Sequence, residues 1–154
     1  MVWEELREDL IFHDVEAESY ADLFRQVGGV LTDKGYGKEN YVQGLIEREN
    51  EFPTGLDIDG FGIAIPHTPV DFVENAATAI ATLKNPVKFT EMGSDDEVEV
   101  QLVFILAVTA PKGHMDQLQR IISIIQDKEV LKKIKEETNA KEVIEIIKRK
   151  EETL

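Results

Sequence analysis

Val98-Glu-Val-Gln-Leu-Val-Phe-Ile-Leu-Ala-Val108 is the stretch from which the fold is read. Its first half alternates, with Val98, Val100 and Leu102 on one side and Glu99 and Gln101 on the other. From Leu102 to Val108 the chain is then apolar without a break. Alternation describes a strand with one covered face, and a continuous apolar run describes a strand covered on both. A strand of the second kind needs helices on either side of its sheet. The run is also too short to span a bilayer, which takes about 20 apolar residues.

Downstream of this strand the period changes from two to nearly four. Leu118, Ile121, Ile122 and Ile125 form one helical stripe, and Val130, Leu131 and Ile134 a shorter one. Thr138 or Asn139 caps a last helix carrying Val143, Ile146 and Ile147, with Lys148, Arg149 and Lys150 at its C-terminal end, where the helix dipole favours cations. Upstream, Ser19 caps a helix that carries Tyr20, Leu23, Phe24, Val27 and Val30 and ends by Gly35. A second helix covers about 39–49, with Val42, Leu45 and Ile46 on one side. Residues 52–62, FPTGLDIDGFG, read as a loop punctuated by Pro53, Gly55, Gly60 and Gly62. Ile63 to Ile65 is a short strand halted by Pro66. Ala77 to Leu83 is another, expected to pair with Val87 to Phe89 across an Asn85-Pro86 turn. Helices before, among and after a central set of strands give an α/β sandwich. With no linker, low-complexity tract or repeat, residues 1–154 are read as one domain.

Charge and composition exclude whole classes of function. Seventeen Lys and Arg against thirty-one Asp and Glu leave a net charge of −14. Nucleic-acid binding draws its affinity from clustered positive charge, so no nucleic acid is expected as a partner. An anionic membrane surface would repel the chain, whereas a protein with a basic docking face would be attracted. The absence of cysteine excludes disulfides, thiolate metal sites and a Cys nucleophile. The acidic start MVWEELREDL lacks the order of a signal peptide, and the expected location is the cytoplasm.

Three histidines and one arginine are the candidates for chemistry. His13, in LIFHDVEAES, reads as a partly exposed residue before a helix and receives no role. His67 follows Gly-Ile-Ala-Ile-Pro where a strand leaves the sheet, and ligands of open α/β sheets gather at such carboxyl ends. Pro66 stiffens the backbone there. An imidazole so held can serve as nucleophile, general base or metal ligand, or can simply end a strand. His114, in APKGHMDQLQR, lies at a second strand-to-helix edge, where the free N–H groups of a helix start favour an anion. Two strand-end histidines in one small sheet can converge on one cleft. Arg48, in LIEREN, is either a solvated helix residue or the guanidinium fork for an anion at that cleft. The carboxylates Glu91, Asp95, Asp96, Glu97 and Glu99 match no calcium loop and read as a solvated turn. No nucleotide-binding glycine loop, HExxH or GxSxG motif is present.

Arg48-Glu49, then Phe52-Pro53-Thr54-Gly55, then Ala64-Ile65-Pro66-His67, and later His114 ahead of Leu118, make a recognisable series. The series resembles the IIA domains of the bacterial phosphoenolpyruvate-dependent sugar phosphotransferase system, of the mannitol/fructose type, with FPTGL and the chain length looking most like the galactitol-specific branch. The resemblance spans roughly residues 10 to 148. It implies a central mixed β-sheet flanked by helices and the work of a phosphocarrier. On this resemblance His67 accepts a phosphoryl group from the phosphohistidine of HPr and hands it to a cysteine of the cognate IIB component, itself coupled to IIC in the membrane. Arg48 and His114 would face the phosphoryl oxygens, with backbone N–H groups of the 115–126 helix assisting. No metal or other cofactor is required, and the acidic residues Asp57, Asp59 and Asp71 are expected on the docking rim. The same resemblance admits a second outcome, a regulatory module whose phosphorylation state controls a partner protein. A metal site built on the histidines is the weakest reading, since two histidines without a third ligand fall short of the usual count.

Overall fold

The computed structural model describes the backbone of every residue except Ala110, and the side chains of residues 1–109 and 115–154. After two short 3₁₀ turns, Val2–Glu5 and Glu8–Leu10, the chain runs through β1 (Ile11–Val15), α1 (Tyr20–Leu23), a π-helical segment Phe24–Gly28, α2 (Gly29–Asp33) and α3 (Tyr41–Glu51). There follow β2 (Gly55–Ile58), β3 (Phe61–Ala64), β4 (Ala77–Thr90), β5 (Glu97–Ala107), α4 (Pro111–Ile125), α5 (Lys128–Glu136) and α6 (Ala140–Glu151). The strands form one mixed sheet in the order β1-β4-β5-β3-β2. β5 is central, antiparallel to β4 and parallel to β3.

Its alternation is now visible as two cores. Leu102, Phe104 and Leu106 face Ile121, Ile124, Leu131 and Ile147, from α4, α5 and α6. Val103 and Ile105 face Leu23, Phe24, Leu31 and Leu45, from the helices that precede the sheet. Each fully buried side chain of this size contributes about 1.5–3 kcal/mol relative to exposure. The expected α/β sandwich, a central mixed sheet flanked by helices, is the fold observed.

Helix starts also follow the sequence. Ser19 Oγ accepts from the Asp22 N–H at 3.1 Å, and Asn139 Oδ1 accepts from the N–H groups of Lys141 and Glu142. Gly35 ends the first helical region at φ +85°. That region is not one regular helix, because five residues of π-helix separate α1 from α2.

Three strand expectations need correction. Residues 55–64 are a hairpin rather than a loop: Ile58 pairs with Phe61 across Asp59-Gly60. Both turn residues have positive φ, +51° and +91°, as a type I′ turn requires, and Asp57 Oδ1 accepts from the Gly60 N–H at 2.6 Å. Ala77–Leu83 and Val87–Phe89 do not pair with each other. Both belong to β4 and pair with β5, with an irregularity between Thr82 and Val87. Pro86, which cannot donate to a ladder, sits in that exposed bulge and so leaves the strand intact. Finally, residues 11–15 form the edge strand β1, parallel to β4, and carry His13.

Candidate functional site

β3 delivers His67 to the edge of the sheet. The backbone continues beside β5 after the strand ends, with the Leu106 N–H donating to Pro66 O at 2.9 Å and His67 bridging to Leu106. The imidazole Nδ1 lies 2.9 Å from Ile65 O. A carbonyl can only accept, so Nδ1 carries the proton and the neutral ring has its lone pair on Nε2. Burial is the main influence that holds the imidazole pKa below its usual value, and the nearby Arg48 charge works the same way. The Ile65 carbonyl opposes both. The half-buried ring is therefore neutral, and hence nucleophilic, at neutral pH.

Arg48 reaches the same place from the last turn of α3. Its guanidinium stacks on the Phe52 ring at 4.2 Å, a cation–π contact that fixes its plane. Its Nε–H is buried and has no hydrogen-bond partner among the described residues. A buried donor left unsatisfied costs about 1–3 kcal/mol, and an anion in the cleft would recover it.

Phe52, Pro53 and Thr54 carry the chain from α3 into β2. Glu49, 4% exposed, closes this turn: Oε2 accepts from the Thr54 N–H at 2.6 Å and Oε1 from the Thr54 hydroxyl at 2.7 Å. Gly55 comes next because a Cβ there would lie 2.6 Å from Thr90 O. Met92 N–H donates to Gly55 O at 2.8 Å, which brings the turn between β4 and β5 over the cleft. Tyr41, at the other end of α3, donates from its hydroxyl to Leu106 O at 2.9 Å and ties the helix to the strand beside His67.

The result is an open cleft of about 770 Å³ in which Arg48, Thr54 and His67 meet Phe52, Met92 and Asp95. Arg48 and His67, two of the three residues singled out from sequence, are thus together. His114 belongs to α4, but its side chain lies outside the described residues. His13 is elsewhere, with Nδ1 3.0 Å from Thr82 Oγ1 on the far side of the sheet order. Of the acidic residues, Glu51 and Asp95 line the cleft. Asp57 and Asp59 sit instead at the hairpin turn, the opposite end of β3 from His67. Among the described residues no three His, Asp or Glu side chains converge as metal ligands.

Sequence reasoning passed over Glu49, Phe52 and Thr54 as contributors. A signal existed for Glu49, since a carboxylate two positions before an apolar-aromatic turn invites a capping partner, but nothing local shows that Glu49 is buried. The Met92–Asp95 wall has no sequence signal at all, because it depends on β4 and β5 projecting beyond β2.

Comparison with known proteins agrees with this geometry. Residues 4–150 match the family described as "Phosphoenolpyruvate-dependent sugar phosphotransferase system, EIIA 2". The transcriptional regulator ManR of Bacillus subtilis is 40% identical over 108 residues, which are 70% of this chain and only 15% of that protein. The galactitol-specific EIIA component of Escherichia coli K12 is 29% identical over 111 residues, 72% of this chain and 74% of that one. Among solved structures, the mannitol IIA of Escherichia coli in complex with phosphorylated mannitol IIB superposes with a TM-score of 0.78 at 26% identity, covering 92% of this chain and 96% of that one. A match running through nearly the whole chain, with Arg48 and His67 brought into one cleft, means that this protein belongs to the EIIA 2 family of the phosphoenolpyruvate-dependent sugar phosphotransferase system.

Proposed function

We propose that residues 1–154 act as a phosphocarrier in the cytoplasm, taking a phosphoryl group from phospho-HPr onto His67 and passing it to a cysteine of a cognate IIB component. As a family member the chain is a phosphotransfer protein in the general sense. The observation that carries the specific reading is the pairing of a tautomer-fixed His67 with the buried Arg48 Nε–H, which has no partner among the described residues, in one open cleft.

The chemistry is in-line displacement. The Nε2 lone pair of His67 forms an N–P bond while the N–P bond of the donor phosphohistidine, protonated on its other ring nitrogen, breaks; the donor imidazole leaves neutral with the electron pair, and His67 keeps its Nδ1–H on Ile65 O. Loose phosphoryl transition states need positioning and charge neutralisation more than covalent assistance. Arg48 supplies the positive fork for the equatorial oxygens, and His114 is assigned beside it on the strength of the resemblance. Onward transfer reverses the roles: the N–P bond to His67 breaks as a thiolate sulfur forms the new bond. The exposed Phe52 and Met92 give the rim an apolar surface, and Glu51 and Asp95 give it negative charge for a basic partner. A polyol such as galactitol is the proposed sugar class, by likeness to the galactitol-specific component.

The test is incubation with enzyme I, HPr and phosphoenolpyruvate, followed by intact mass and site mapping. One phosphoryl group on His67 is expected. A second reading, a regulatory module whose phosphorylation state sets binding to a partner, draws on the likeness to ManR. Phosphorylated protein that fails to pass its phosphoryl group to any IIB, yet changes its affinity for a regulator, would favour it.

A further inference from the structure

Two carboxylates are fully buried among the described residues, Glu49 and Glu151. Glu151 is explained by its surroundings: it accepts from the N–H groups of Val2 and Trp3 and pairs with Arg120 at 3.3 Å. Glu49 has no cation within ion-pair distance among the described residues, and its only described donors are both on Thr54. Burying a carboxylate without a counter-charge is unfavourable, and such groups cluster where function demands them. A glutamine amide offers a single acceptor oxygen, so accepting from both the Thr54 N–H and the Thr54 hydroxyl takes the two oxygens of a carboxylate.

We propose that Glu49 is a positioning residue for phosphoryl transfer: by gripping Thr54 through both carboxylate oxygens it holds the Phe52–Thr54 turn, and through the Phe52 ring the plane of the Arg48 guanidinium, against His67. This rests on the phosphocarrier reading. The path is short and continuous. Glu49 and Arg48 are neighbours in the last turn of α3, Thr54 lines the cleft, and Phe52 is the ring under the Arg48 guanidinium. Releasing Thr54 frees the turn, and with it the ring that sets the direction of the unsatisfied Nε–H.

The grip is charge-assisted, and its strength follows the ionisation of Glu49. Burial pushes the carboxyl up to about 7, against the pull of the two Thr54 donors. Among the described residues, the titratable group that feels its charge is Tyr20 from α1, while Arg48, its neighbour in the chain on α3, acts on His67. Tyr20, its own pKa raised, stays neutral through this range. His67, held below its usual pKa, is already deprotonated there. Of these groups it is Glu49 that ionises near pH 7, and on the proposal Arg48 is firmly oriented above that pH and looser below it.

The experiment compares wild type with Glu49→Gln and Glu49→Ala, reading the Arg48 Nε–H resonance in the unphosphorylated protein and the rate of phosphoryl uptake from phospho-HPr between pH 6 and pH 8. The resonance should shift with a midpoint near 7 in wild type and stay flat in Glu49→Gln. Uptake should rise over the same interval in wild type, be independent of pH in Glu49→Gln, and fall by about 10²-fold in Glu49→Ala, the loss typical of an ångström-scale misplacement. A folding defect is separated by melting at pH 8. Because the folded pKa is raised, ionisation of Glu49 withdraws stability as pH climbs through about 7, and the uncharged Gln variant should melt no lower than wild type. A pH step that persists in Glu49→Gln, or an Arg48 signal that ignores pH in wild type, overturns the proposal. Wild type that titrates at Arg48 but takes up no phosphoryl group would instead overturn the phosphocarrier reading and leave the mechanical coupling in place.

Discussion

One backbone atom and one neighbouring side chain set the state of the His67 ring. Ile65 O fixes the tautomer, and burial with Arg48 keeps the ring uncharged. His67→Ala should abolish phosphoryl uptake, seen as loss of the mass increment, with no change of fold by circular dichroism. The pH limb follows from the sign of the shift. A lowered imidazole pKa means the nucleophilic form persists below the usual value of 6.5, so the limb due to His67 itself should lie on the acid side of that point, below the step assigned to Glu49. Arg48→Ala removes the donor proposed to face the phosphoryl oxygens and should slow transfer about 10²–10³-fold. Its melting temperature should hardly change, since the buried Nε–H has no partner among the described residues. His67 and Arg48 were legible in sequence because strand-end and motif context mark them. Glu49 was not, since burial is a property of the packed chain and LIEREN looks like a solvated helix end.

At the scale of elements, Gly55 and Gly62 of the β2–β3 hairpin are fixed by close approach. A Cβ at Gly55 would meet Thr90 O at 2.6 Å, so Gly55→Ala should push the Thr54 turn away from the β4–β5 connection. We expect destabilisation of about 1–3 kcal/mol, the usual cost of overpacking, measured by urea unfolding, together with slower phosphoryl uptake. The hairpin also shows what local pattern hides. Asp-Gly between apolar residues is a strong turn signal, yet the glycines and Pro53 around it made the whole stretch resemble a loop. β4 failed in the opposite direction: Asn85-Pro86 looks like a hairpin turn, but the valine and phenylalanine beyond it find better partners on β5. Central β5 was readable throughout, because burial on both faces writes itself into composition. Edge strand β1 was not, because pairing along one side leaves only Leu10-Ile11-Phe12 as a trace.

For the whole molecule, two cores share one sheet, and Phe104 is fully buried in the one on the α4–α6 side. Phe104→Ala should cost about 3–5 kcal/mol, read from chemical denaturation, with the His67 cleft affected only through global unfolding. Net charge acts at this scale too. With −14 overall, association with a basic donor protein should slow as salt rises, since screening sets in over about 10 Å at 0.1 M. Glu51→Gln and Asp95→Asn, on the cleft rim, should flatten that salt dependence in stopped-flow measurements, while Asp57→Asn and Asp59→Asn should change it less. Sequence alone put Asp57 and Asp59 on the rim because eight or ten positions along the chain look close. An extended strand makes them distant.

The lock on the imidazole has one more consequence. Its acceptor is Ile65 O, a main-chain oxygen two residues away, and no codon specifies it. Where a carboxylate orients a catalytic histidine, a single base change can erase the orienting group. Here every side chain at position 65 carries the same carbonyl, so random mutagenesis of this protein would yield no inactive variants that trace to a missing tautomer partner. The genetic target for losing the proposed nucleophile shrinks to His67 itself and to changes that bend the strand beneath it.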